Sequence, residues 1–404
     1  MRNLVEIYEF SDDGAWCWFQ DPRAIFIRGI FTKTYAQWMT RKGKLQCGSF
    51  NHETKEIKTF TLKKNWDRDD HNVGSFLILP DNRIMAFYAR HDKPGLYSRT
   101  TVNPEDISLW EEEVTVCKQR KVTYSHPVYL HSEKLFFVFW RGESWKPTYS
   151  TSKDGKMWNS PQVLIQDEGR SKRSIRPYTK IYSNGKRIIH LIFTDGHPRN
   201  ESQNSIYYLQ YKNGKFRKLN GDVMEVTANN PIPHSNCDKL YDGSLTNVRA
   251  WIWDIMTDDK DHPYVLYTRL PSKTDHRYHF TRWDGHQWLD QELVKAGRWF
   301  PQSFISKFEL EPHYSGGMVF NQQNPNIIYL SRQIKSNFEI EKWETKNLGH
   351  TWISTQLTAD SKNMNVRPVF PRGYDQNTDH ILWMHGKYRY FKFFYNTKIN
   401  LLKG

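Results

Sequence analysis

Cysteine is scarce in this chain. Four residues (Cys17, Cys47, Cys117, Cys237) are scattered through 404 positions, which excludes a scaffold built on disulfides. Long hydrophobic runs are missing too: none approaches the ~20 apolar residues needed to span a bilayer. No Lys/Arg-rich tail, helix-turn-helix pattern or amphipathic segment of ordinary helical length can be marked out. Acidic residues are in deficit, with 44 Asp and Glu against 58 Lys and Arg, a formal charge of +14. The opening MRNLVEIYEF lacks the charged-then-apolar pattern of a signal segment. The expectation is a secreted or periplasmic protein whose signal has been removed, or a cytoplasmic one if Met1 is native.

Aromatic residues are abundant: 16 Trp, 22 Tyr and 23 Phe make up 15% of the chain. That richness suits sheets and carbohydrate-stacking surfaces better than helical bundles. Basic residues are spread along the chain, and several follow strand ends. An anionic polysaccharide is therefore the expected partner rather than nucleic acid or a membrane, and a monomer is expected.

Short strands separated by turn signals run throughout, at Asp81-Asn82, Asn184-Gly185, Asn213-Gly214 and Asp284-Gly285. Similar segments recur at a spacing of roughly 50 to 75 residues, a propeller blade period. They begin at Trp16, His71, Tyr124, Arg176, Arg249, Tyr314 and Val366. Third strands often lead into a Gly-and-Trp turn, as at Asp154-Gly155 through Trp158 and Thr345 through Trp352. The latter looks like the Asp-box of sialidase-type propellers, with Asn347 in the acidic position. Seven units predict an all-β, single-domain seven-bladed β-propeller over residues 1–404; the rival is a pair of packed β-domains.

In a propeller the innermost strand of each blade begins on the face where the second strand ends. The hairpin with strands at 74–79 and 83–88 therefore brings His71 and His91 to one rim. Tyr124, His126 and Arg141 follow from the third blade, and Arg176, Tyr178, His197 and Arg199 from the fourth. The set holds imidazoles, phenols and guanidiniums but no convincing carboxylate pair, which a glycosidase needs; Asp70 and Asp195 are candidates to orient a histidine. β-Elimination at a uronic acid needs a cation for the C5 carboxylate, a base for the C5 proton and an acid for the leaving O4. Arg, His and Tyr supply these. Tyr124 also fits a buried strand position and Arg141 a pairing with Glu143, while His126 reads as a packing residue facing the channel.

The chain resembles the BNR-repeat polysaccharide lyases with seven-bladed propellers, the ulvan lyases and L-rhamnose-α-1,4-D-glucuronate lyases. The resemblance rests on DDHN at 69–72, FYARH at 87–91, FWRG at 139–142, RPY at 176–178 and FTDGHPRN at 193–200, with WCWFQDPRA at 16–24 and YSGG at 314–317. It implies that His71 and Tyr124 are an acid/base pair, with His91 assisting or sharing the base role. Arg141 would neutralise the carboxylate, and Asn72, Arg176, Tyr178 and Arg199 would bind the sugar. The implied activity is cleavage of the L-rhamnosyl-α-1,4-D-glucuronate bond of ulvan or a rhamnose-capped arabinogalactan, giving a 4,5-unsaturated uronate. A sialidase-like glycoside hydrolase and a non-catalytic carbohydrate-binding propeller are the alternatives. No organic cofactor is expected. His197, His234, Cys237 and His276 form a His/Cys set suited to a structural ion, zinc or calcium.

Overall fold

The computed structural model describes residues 6–167, 175–227, 230–299, 313–373 and 380–403. Seven sheets of four or more strands make the blades of a β-propeller, antiparallel except that the two-residue strand Arg372–Gly373 joins the first blade parallel to Ala24–Arg28. Their innermost strands are, in order, Ala24–Arg28, Ser75–Ile78, Thr123–Leu130, Thr179–Tyr182, Arg249–Thr257, Gly317–Asn321 and Met364–Val369. The first described strand, Glu6–Ser11, pairs antiparallel with the last, Tyr395–Lys403, and becomes the outer edge of the seventh blade. The ring thus closes on its own two ends.

Burial follows from this arrangement. Second strands are sandwiched between neighbouring blades, so Ile84–Ala89 and Ile188–Thr194 are buried along their whole length. Ile84–Ala89 reads as a continuous apolar run for that reason, while in Ile188–Thr194 the buried His190 is partnered by the Tyr208 hydroxyl at 2.6 Å. The outer strand Ile353–Gln356 is exposed throughout.

The Gly-and-Trp turns act as expected. Gly349 has φ +96°, which a side chain would resist, and its N–H donates to Thr345 Oγ1 at 3.0 Å. Asn347 Oδ1 accepts from Thr351 N at 2.8 Å. The turn aims Trp352 at Phe280 of the preceding blade, ring centroids 5.2 Å apart. Trp158 meets Phe87 and Trp288 meets Tyr208 in the same way. These tryptophans are inter-blade fasteners.

Around the axis, Trp18, Phe19, Tyr178, Trp251, Trp253 and Tyr314 form an aromatic floor, with Trp18 and Trp253 at 4.6 Å and Phe19 and Tyr178 at 4.8 Å. A buried ionic knot joins the blades as well: Lys180 to Asp21, Arg23 to Asp21, and Arg372 to Asp254. His126 lies within the field of this knot, 1% exposed, and burial pushes its imidazole down to about 3. It is a neutral packing residue. Among the described residues no helix is long and apolar enough to cross a membrane.

Candidate active site

The histidine pair is built by a short turn rather than by strand ends alone. Asp69 caps the 3-10 turn Asp70–Asn72, accepting from His71 N at 3.0 Å. Gly74 follows because nothing larger fits: a Cβ there would lie 2.3 Å from Gln37 Oε1 and 2.4 Å from Phe87 O. The strand Ser75–Ile78 then pairs with Ile84–Ala89, which delivers His91 to the same rim. The two imidazoles stack, centroids 4.3 Å apart and planes 8° from parallel.

One carboxylate holds both rings. His71 Nδ1 lies 2.9 Å from Asp69 Oδ1 and His91 Nδ1 lies 3.0 Å from Asp69 Oδ2. Asp69 stays ionised: burial alone would raise its pKa, but His71 and His91 outweigh that and lower it. A carboxylate only accepts, so each Nδ1 carries a proton and each Nε2 points away from it. The environments then diverge. Burial disfavours charge on His71, yet the Cys17 sulfur, Asp69 and Asp70 outweigh it and raise its pKa well above the ordinary value. Burial and the neighbouring His71 depress His91. His71 is therefore an imidazolium and His91 a neutral ring with a lone pair on Nε2. Asp70, fully buried, is clamped by Arg367 Nη1 and the Tyr388 hydroxyl, each at 2.6 Å.

Tyr124 stands next to the pair, its ring 5.8 Å from His71 and 6.4 Å from His91. It sits at φ +62°, at a register shift between Thr123 and His126. Holding a non-glycine residue there costs on the order of 1–3 kcal/mol. Burial, then Cys17 and Tyr178, push its pKa well above the usual value, so the phenol keeps its proton. Thr123 pairs across the ladder with Arg141, which brings that guanidinium alongside. Arg141 Cζ lies 4.2 Å over the Tyr178 ring, and its buried Nε has no hydrogen-bond partner among the described residues. Tyr178 in turn is 5.9 Å from Tyr124.

Other expected residues fall out differently. Arg176 and Arg199 are exposed, the former with Cζ 4.1 Å over the Trp145 ring. Asn72 is not available to a sugar: it is 1% exposed, its Oδ1 accepts from His91 N at 2.6 Å and its Nδ2 donates to Trp66 O at 2.6 Å. It positions His91 instead. Asp195 orients no catalytic histidine, because its oxygens accept from Ser205 N and the Tyr207 hydroxyl.

The expected metal set of His197, His234, Cys237 and His276 is not assembled. Among the described residues, the groups of three or more possible ligands are Cys17, Asp70 and His71, and Asp69, His71 and His91. Cys237 packs in the apolar core with Tyr207 and Ile232, where burial pushes its thiol up to about 12. His234 Nε2 lies 3.8 Å from Asp195, and His276 is fully buried in the fifth blade. His197 joins the aromatic floor, 4.2 Å from Trp251, and its Nδ1 accepts from Arg199 N.

Several site residues were not anticipated. Asp69 was legible as the first letter of DDHN, and a carboxylate two positions before a histidine is a ready capping partner. Phe391 lies 4.6 Å from His71 at 70°. Lys392 Nζ lies 3.7 Å from Asp69. Both come from the aromatic and basic run at 387–395, which carries no repeat signature.

Comparison with known proteins bears first on the fold. The ulvan lyase of polysaccharide lyase family PL25, solved bound to -[GlcA(1-4)Rha3S]-, superposes with TM-score 0.72 at 15% identity, covering 98% of this chain and 95% of its own. The polysaccharide lyase Uly1 gives TM-score 0.58 at 10% identity, covering 98% and 97%. No curated protein matches by sequence. A profile of BNR repeat-containing family members matches residues 33–296, well over half of the chain, and the chain belongs to that family.

Proposed function

We propose that this protein is a polysaccharide lyase that opens the L-rhamnosyl-α-1,4-D-glucuronate bond of an anionic glycan, ulvan or a rhamnose-capped arabinogalactan, by β-elimination. The observation that carries the reading is the stacked pair on Asp69, one ring charged and one neutral, beside a protonated phenol and a guanidinium with a free Nε. Environments that split the pKa values of paired groups are how a site assigns acid and base.

In this reading Arg141 pairs with the C5 carboxylate, and the His71 imidazolium adds to the positive field. His91 Nε2 removes the C5 proton. The C4–O4 bond breaks as the C4=C5 bond forms, and O4 takes its proton from the Tyr124 hydroxyl. Proton return from His91 to Tyr124, directly or through water, resets the site. Arg176, Tyr178 and Arg199 line the approach. A sialidase-like hydrolysis has less support, because Asp69 and Asp70 are both engaged by cations and neither is poised as a general acid.

Such a substrate is a polymer, which fits action outside the cytoplasm. The test is absorbance near 235 nm from the unsaturated product on incubation with ulvan and with glucuronate-rhamnose arabinogalactan. No rise with any glucuronate-containing glycan, from folded protein, sinks the lyase reading. Since Arg141 supplies the positive charge, no step needs a metal. Dialysis against EDTA is expected to leave the rate within about twofold, and a loss restored by zinc or calcium would contradict that.

A further inference from the structure

The closing blade carries a feature that the elimination does not use. Across the turn from its second to its third strand, residues 387–396 read KYRYFKFFYN, with three cations, six aromatic rings and no acid. The segment is tied to the histidine turn: Asp70 N donates to Phe391 O at 3.0 Å and Phe393 N to Arg68 O at 3.1 Å. At its middle, Phe391 packs edge-on against His71, so the segment touches the site. It then runs outward. Phe393 is 54% and Phe394 39% exposed, unusual for rings of this size. Phe393 adopts φ +65°, a strained conformation, and Arg68 Cζ lies 5.7 Å over its ring. Beside them lies a groove of about 280 Å³ lined by Lys387, Arg389, Phe393, Phe394, Tyr395 and Asn396.

Building on the lyase reading, we infer that this groove is a second glycan subsite, which grips a uronate or sulfated sugar of the same chain beyond the bond being cleaved. Aromatic faces stack on the apolar C–H faces of a pyranose, and Lys387 and Arg389 are placed for its carboxylate or sulfate. The volume lies just below the roughly 300–1,000 Å³ of small-ligand sites, which suits a single sugar unit rather than a folded partner. Continuity through Phe391 gives one glycan a path from the histidine pair to the groove. The two charged lining residues, Lys387 and Arg389, are both positive, which matches a polyanion.

Electrophoresis of the native protein through gels containing ulvan, run in the cold to slow turnover, reads binding at the subsite. Wild type is expected to be retarded, and the double variant Phe393→Ala, Phe394→Ala to bind about fivefold more weakly, the loss of roughly 1 kcal/mol of stacking. Ile30→Ala, which removes an 89% exposed residue elsewhere, is the control. Kinetics on repeats of glucuronate and 3-sulfated rhamnose, four and eight sugars long, give a second readout. Wild type is expected to have a lower KM for the longer chain, and the double variant to treat both alike. Equal retardation of wild type and variant overturns the subsite, as does an unretarded wild type. Equal retardation by single-stranded DNA overturns its assignment to a glycan. A retarded wild type that yields no 235 nm product would remove the lyase reading and leave the subsite standing.

Discussion

Two identical side chains 4.3 Å apart differ in charge because their second neighbours differ. His71 has Asp70 and Cys17 behind it, whereas His91 has the charged His71 in front of it. A base must be unprotonated, and burial lowers the His91 pKa below its ordinary 6.5. The kcat/KM of the proposed elimination is then expected to rise with pH on the acid side, with a midpoint below 6.5, and to stay level through neutrality. Tyr124 keeps its proton far into the alkaline range, so no fall is expected before about pH 9. A pH–rate profile checks this, and a rate still climbing between pH 8 and 10 would transfer the base role to Tyr124. Arg141→Ala is expected to cost at least 100-fold in kcat while near-UV circular dichroism stays native. Near-normal turnover in that variant would remove Arg141 from its role.

Strands and turns were legible because each has a local physical cause. The Pro80-Asp81-Asn82 turn sets the register that pairs Ser75 with Phe87, and the glycine at 349 marks a left-handed backbone. What was not legible is how a strand is locally bent. Tyr124 and Arg367 both adopt positive φ at register shifts in innermost strands, and neither Thr-Tyr-Ser-His nor Val-Arg-Pro announces it. Asn72 and the expected metal set misled for a related reason: sequence position gives the rim but not which way a side chain turns. The turn carrying His71 depends on close backbone approach at Gly74. Gly74→Ala would drive a Cβ into the Phe87 carbonyl, with an overpacking cost of about 1–3 kcal/mol. The expected outcome is a lower denaturation midpoint together with a kcat loss exceeding tenfold, since moving the turn shifts His71 relative to His91. A stable variant with full activity would show that the turn tolerates displacement.

At the scale of the whole molecule, the blade that closes the ring also supports the site. Arg367 from its innermost strand and Tyr388 from its second strand both end on Asp70, beside the second-blade histidines. Arg367 Nη1 also donates to Trp16 O at 2.7 Å, which ties in the segment leading to the first blade. The Arg367–Asp70 pair is at most 1% exposed, so its energetics are those of a buried ion pair. Removing one partner strands the other's charge, at about 3–5 kcal/mol. Arg367→Met should therefore destabilise strongly, and Asp70→Asn should do so too by stranding the guanidinium. The double variant leaves no lone charge and should lose less than the sum of the two, by about 2–3 kcal/mol. The pH dependence has a defined sign. Burial would raise the pKa of Asp70, but Arg367 and His71 outweigh it and lower the folded-state value. The group's contribution to stability is then complete above the unfolded value of about 3.9 and is lost as pH falls through the folded value. The stability gap between wild type and Arg367→Met should be widest near neutrality and narrow below about pH 4. Urea denaturation of the four proteins of this cycle at pH 7 and pH 3.5 measures both effects. Additive losses with a gap independent of pH would mean that the closing blade and the histidine turn are not coupled through this charge.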